Sequence, residues 1–223
     1  MIATLAPRFR KLPAAQRRLW PELRPARDLG FVLYGGTAVS LHLGHRRSVD
    51  FDFFHDRPLD AASVRKALVL LRTAQTLQEQ KHTLVVSVGR RAPVKLSFFG
   101  GLHFGRIGDP LLTADGVAEV ASLEDLLAHK LKVILQRAET RDYEDIAAML
   151  RAGVPLARGL AGARLLFGRA FQPADGLKAL TYFKDGDLAR LGRMARNTLI
   201  AAAAGVGDLP VVVLRSRSLA IPA

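Results

Sequence analysis

The chain has no cysteine among its 223 residues. Disulfide scaffolds, thiolate zinc centres and cysteine nucleophiles are excluded, and a reducing, cytoplasmic location is expected. No apolar run approaches the ~18–20 residues that cross a bilayer, so no membrane partner is expected. The opening MIATLAPRFRKLPAAQRRLW lacks the apolar stretch of a secretory signal. Its basic, acid-poor composition leaves a transit peptide open. Acids are scarce overall: 20 Asp and Glu stand against 33 Lys and Arg, a net charge of 33 − 20 = +13. A field of that sign favours polyanions: tRNA, other nucleic acid, nucleotides or acidic membranes. A GC-rich coding sequence, which yields Ala and Arg, produces the same excess with no partner at all.

Apolar residues make up 49% and charged residues 24%, an ordinary globular composition. The length suits one large or two small domains. Residues 1–28 read as a basic, partly helical arm broken by Pro7, Pro13, Pro21 and Pro25. Phe31 to Tyr34 reads as a strand running into a turn at Gly35-Gly36. Thr37 is then expected to cap a short helix that Gly44 ends. Val49 to Phe54 alternates acids and aromatics, the pattern of a half-buried strand. Asp60 is expected to cap a longer helix to about Gln80, with Val64, Leu68 and Leu71 on one face. Leu84–Val88 and Val94–Phe99 read as a hairpin around Gly89 to Pro93. From Ser122, which opens the capping-box pattern S-L-E-D, the texture turns helical. Helices are expected to about Ala138, from Asp142 to Leu150, and through most of the chain to Ala204. The fold class is therefore α+β: an arm at 1–28, a small mixed α/β core at 29–120, a helical bundle at 121–205 and a tail at 206–223.

Asp50 and Asp52 stand two apart on a strand, so both carboxylates leave the same face while Phe51 and Phe53 enter a core. Adjacent carboxylates repel, which favours a shared hard cation, and oxygen ligands suit Mg2+. The same spacing also fits the solvated face of an amphipathic strand. Gly35, Gly36 and Thr37 join a strand to a helix start, the makings of an anion cradle. Double glycine equally makes a plain turn. Gly36 precedes Asp50 by 14 residues, and Arg46, Arg47 and Ser48 come just before the acids. Together these are the parts needed to handle a nucleoside triphosphate, where positioning and charge neutralisation dominate. Lys130 and Arg137, seven apart, share one helix face. Asp142 and Asp145 fit a helix start favoured by the helix dipole equally well.

Residues 35–54, G-G-T-A-V-S-L-H-L-G-H-R-R-S-V-D-F-D-F-F, resemble the signature of the AbiEii/AbiGii-type nucleotidyltransferase toxins, members of the DNA polymerase beta-like nucleotidyltransferase superfamily. Residues 125–131 (D-L-L-A-H-K-L), Arg137 and residues 141–146 (R-D-Y-E-D-I) are similar to a later segment of that family. Residues 179–185 (A-L-T-Y-F-K-D) are similar to its last segment. The resemblance implies a nucleotidyltransferase fold and transfer of a nucleotidyl group from a nucleoside triphosphate with Mg2+. It implies tRNA, at its 3′ end, as the acceptor, and a role as the toxin of a toxin–antitoxin or phage-defence system with a cognate antitoxin protein. By the same analogy Gly35, Gly36, Thr37, Arg46 and Ser48 hold the nucleotide, and Asp50 and Asp52 bind metal. Lys130 neutralises phosphate charge, and Asp142 completes the site.

One departure stands out. The superfamily commonly has a third carboxylate on a later strand, and Val94 to Phe99 has none; Lys95 or Ser97 stands near that place. Three readings follow: an RNA nucleotidyltransferase, a catalytically weakened RNA- or protein-binding module, and a transferase acting on a polypeptide. His42, His45 and His55 lack metal-ligand spacing and read as ordinary histidines.

Overall fold

The computed structural model describes residues 3–221; residues 1–2 of the expected arm and 222–223 of the expected tail lie outside them. The chain divides into two compact units. The first comprises residues 1–105, 109–122 and 216–223, and the second residues 106–108 and 123–215.

The first unit contains β1 (Thr4–Leu5), α1 (Ala14–Leu19), α2 (Arg24–Asp28), β2 (Val32–Tyr34), α3 (Gly35–Leu43), β3 (Asp50–Phe54), α4 (Ala61–Ala67), β4 (Gln75–Gln80), β5 (Thr83–Val88), β6 (Val94–Phe99), β7 (Leu111–Thr113) and β8 (Glu119–Val120). They form one mixed sheet in the order β1-β7-β8-β2-β3-β6-β5-β4. β3 runs antiparallel to β2 and parallel to β6. The hairpin expected at 84–99 is present as β5 and β6.

Alternation along β3 decides what each face does. Phe51 and Phe53 are buried. Trp20 approaches Phe51 with ring centroids 5.9 Å apart, and Phe53 stacks on Phe98 at 5.2 Å. Asp50, Asp52 and Phe54 leave the other face, half-buried. The basic arm is therefore no free appendage. Its β1 extends the sheet beside β7, and the Trp20 indole N–H donates to Asp115 at 2.7 Å.

The helix expected from Asp60 to Gln80 is corrected. Asp60 does cap α4, its Oδ1 accepting from the amides of Ala62 and Ser63 at 3.1 Å each. The helix stops at Ala67, a 3-10 turn spans Val69–Thr73, and residues 75–80 form β4. Val64, Leu68 and Leu71 are buried as expected, but a short helix plus a tight turn delivers them. β4 is an edge strand exposed along its length, so its polar residues carry no alternation to announce it. The helix start is corrected too. α3 begins at Gly35 directly after Tyr34, with no side-chain cap, and Thr37 lies inside its first turn. Gly44 ends it in the left-handed conformation, as expected.

Residues 216–221 return to the first unit. Leu219 is fully buried, and its amide and the Ser218 hydroxyl both reach Asp56 Oδ1 at 3.3 Å. The amide of Ile221 donates to Glu119 Oε2 at 3.1 Å.

The second unit is helical: α5 (Leu123–Val133), α6 (Thr140–Arg151), α7 (Leu156–Phe167), α8 (Pro173–Thr181) and α9 (Arg193–Ala204). α5 ends at Val133, short of the expected Ala138. α5 and α7 pack closely because Gly159 has no side chain; a Cβ there would lie 2.5 Å from Leu127 Cδ2. Buried Asp125 accepts from the amides of Ile107 and Gly108 at 2.8 and 3.0 Å, which ties residues 106–108 to this unit. Among the described residues no helix is long and apolar enough to cross a membrane.

Candidate active site

In the first unit, β2 passes into α3 with no intervening loop. Gly35 makes this possible with φ +71°. The Asp52 carboxylate lies against it, and a Cβ on Gly35 would overlap Asp52 Oδ2. Only glycine combines that conformation with that proximity. Strand pairing sets Asp52 opposite Tyr34 and so carries its carboxylate to the start of α3. The first amides of a helix have no intrahelical acceptor, and the helix dipole favours negative charge there.

Thr37 and Ser48 work behind this point. Both are buried. The Thr37 hydroxyl donates to the Asp50 carbonyl and shares a 2.9 Å hydrogen bond with Ser48 Oγ. Ser40 Oγ donates to the Arg46 carbonyl at 2.9 Å, and Arg46 Nη1 donates to the Arg47 carbonyl at 2.9 Å. α3 is thereby pinned to the loop that delivers β3, which fixes where the two acids emerge. The hydroxyls of Thr37 and Ser48 are engaged inside the protein, so their contribution is to hold the strand.

Asp50 and Asp52 are half-buried oxygen donors on one face, a set that fits a hard divalent cation. Their neighbours on β6 are Lys95 opposite Asp50 and Ser97 opposite Asp52. Lys95 Nζ sits 3.1 Å from Asp50 Oδ2. Among the described residues no group of three His, Cys, Asp or Glu is arranged to hold a metal. The expected position of a third acid is thus held by an amine and a buried hydroxyl.

In the second unit, Lys130, Arg137, Asp142 and Asp145 form one network. Lys130 Nζ lies 2.6 Å from both Asp142 Oδ1 and Asp145 Oδ2. Arg137 Nε donates to Asp142 Oδ2 at 2.9 Å. Both aspartates have fully buried side chains. Burial pushes the Asp142 carboxyl up, but the Lys130 charge and the Arg137 hydrogen bond outweigh it and hold the group below the ordinary carboxylate value. Next to Lys130, His129 is half-buried; desolvation lowers its pKa to about 3, so its ring is neutral at physiological pH. The helix face expected to carry both Lys130 and Arg137 is corrected: α5 ends at Val133, so Arg137 lies in the loop before α6 and reaches Asp142 from there. The part of Asp145 in the network was not readable from the sequence, because an i, i+3 acid pair also fits a plain helix start. Nor was the pairing of Lys95 with Asp50, which depends on a strand register between residues far apart in sequence.

Known proteins share this architecture. The family model for the nucleotidyl transferase AbiEii toxin of type IV toxin–antitoxin systems matches residues 19–201. An uncharacterised protein of Aquifex aeolicus is 31% identical over 149 residues, spanning 64% of this chain and 69% of that protein. The solved structure of MenT4, a nucleotidyltransferase toxin of Mycobacterium tuberculosis, is similar with a TM-score of 0.57 at 14% identity, covering 86% of this chain and 83% of that one. At such low identity this last likeness is one of fold. With the match running through both units, the chain belongs to the AbiEii nucleotidyltransferase toxin family.

Proposed function

We propose that the chain transfers a nucleotidyl group from a nucleoside triphosphate to RNA, with the 3′ end of tRNA as acceptor and Mg2+ as cofactor. In the cell it acts as the toxin of a toxin–antitoxin or phage-defence pair, opposed by a cognate antitoxin. The observation that carries this reading is the Asp52 carboxylate seated on the side-chain-free start of α3, with Asp50 beside it on the same face.

Asp50 and Asp52 would hold Mg2+, which when bound supplies charge neutralisation on the triphosphate. The backbone at Gly35 and Gly36 receives phosphate oxygens, since nothing beyond hydrogen projects from either residue. The hydroxyl oxygen of the RNA end attacks the α-phosphorus. The bond from that phosphorus to the bridging oxygen breaks, and pyrophosphate leaves with the electron pair. The hydroxyl proton passes to a carboxylate of the acid pair and then to water. Asp142 is unsuited to take that proton, because Lys130 and Arg137 hold it ionised. Its role is to orient Lys130. An ammonium has three donors, and Lys130 places two of them on Asp142 and Asp145.

Incubation with each labelled triphosphate, Mg2+ and total tRNA tests the reading. Label is expected on RNA with at least one nucleotide and not with Asp52→Ala. Label on a polypeptide instead would reassign the acceptor. A second reading, a binding module without catalysis, draws on Lys95 and Ser97 opposite the two acids. Salt-dependent RNA binding unchanged by Asp50→Ala, with no transfer, would favour it.

A further inference from the structure

We infer that Lys95 is a built-in cation of the acid pair, standing where a second divalent ion would bind, so that the centre operates with one metal ion. This rests on Asp50 and Asp52 being the metal ligands.

Strand register supplies the first argument. β3 and β6 run parallel with Asp50 opposite Lys95 and Asp52 opposite Ser97, so all four side chains share one face. The other strand beside Lys95 offers it Ser87, a neutral partner. Cross-strand placement therefore directs the ammonium to Asp50, and Nζ is found 3.1 Å from Oδ2.

The second argument is one of competition. A two-metal centre needs a carboxylate to bridge ions roughly 3.5–4 Å apart and a further acid to close the second ion's shell. Neither β6 neighbour of the pair is an acid, and among the described residues no cluster of three ligands exists. A divalent ion on Asp50 Oδ2 would sit roughly 2.1 Å from that oxygen. The ammonium already occupies the approach to the same oxygen, so ion and lysine exclude each other.

The third argument is charge. Two carboxylates with one divalent ion are neutral before substrate arrives. Lys95 adds one positive charge and mobile N–H donors that meet phosphate as a point charge. Its half-exposed side chain has room to turn from Asp50 to a phosphate oxygen.

Mn2+ titrations of the full chain, saturated with an α,β-methylene nucleoside triphosphate and followed by electron paramagnetic resonance, count bound ions per bound nucleotide. One ion is expected for the wild type. Lys95→Met, which keeps the stem and removes the charge, is expected to bind that ion about tenfold more tightly, the effect of removing a unit charge roughly 5 Å from a divalent ion in a watery site. Lys95→Glu is expected to admit a second ion. Two ions in the wild type, an affinity within twofold for Lys95→Met, or a single ion in Lys95→Glu would each overturn the role of Lys95 while leaving the acid pair as ligands. No bound Mn2+ in the wild type, or binding undiminished in Asp52→Asn, would overturn both this inference and the reading on which it rests.

Discussion

Gly35 and Asp52 are in direct contact: the bare α-carbon of one lies under the carboxylate of the other, at the point where β2 turns into α3. A methyl group there meets two obstacles, a left-handed backbone and a carboxylate oxygen. Gly35→Ala is therefore expected to cost about 1–3 kcal/mol in stability. Because the clash displaces Asp52 itself, transfer should fall by more than a hundredfold even at temperatures where the variant is fully folded. Thermal unfolding run beside a transfer assay separates the two effects. A variant that is stable and fully active would show that Asp52 need not sit at the helix start.

Thr37 is a fastener. Thr37→Val keeps shape but removes the hydroxyl shared by the Asp50 carbonyl and Ser48. The expected loss is about 1–3 kcal/mol, because buried partners are left unpaired. Thr37→Ser should restore most of it in urea unfolding. If Val and Ser behave alike, the hydrogen bonds contribute nothing net.

The Lys130 network should be intolerant of half-measures. Lys130→Met leaves two buried carboxylates facing each other, and the expected cost is about 3–5 kcal/mol. The triple variant Lys130→Met, Asp142→Asn, Asp145→Asn removes all three buried charges and should recover a good part of that loss. Chemical denaturation of both proteins provides the comparison. No recovery in the triple variant would mean that packing, not charge, governs this spot.

Acid stability carries two separable signatures. In the folded chain His129 takes a proton only near pH 3, against 6.5 for the ordinary group. The unfolded state therefore binds the proton first, and stability falls as pH drops below 6.5. Asp142 is held below its ordinary 3.8, so its contribution is complete above that value and disappears as pH falls through the folded one. Urea midpoints should decline between pH 6.5 and 4 in the wild type and decline less in His129→Leu. The Asp142 contribution should appear only at still lower pH.

Much of the first unit is legible in the sequence. The alternation of Asp50 to Phe54 announced a strand with an acidic face and an aromatic one; Gly35-Gly36 marked the end of β2, but as the first residues of α3 and not as a separate turn. β4 stayed hidden because an exposed edge strand such as Q-T-L-Q-E-Q needs no hydrophobic period; its hydrogen bonds come from β5. The misplaced start of α3 has a similar cause. Thr37 has the chemistry of a cap, but tertiary partners on β3 claim its hydroxyl. In the second unit Lys130 and Arg137 were expected on one helix face, but the helix ends at Val133 and Arg137 lies in the following loop; the convergence of two aspartates on one ammonium depends on how α5 meets α6.

The return of residues 216–221 to the sheet-bearing unit bears on when that unit is finished during synthesis. Leu219 fills its core, and Asp56 and Glu119 accept from amides that follow the whole helical half in sequence. A ribosome therefore translates every helix of the second unit before the first can close its last contacts. For a protein of a toxin family, that order delays completion of the acid-bearing unit until the whole helical half has been made.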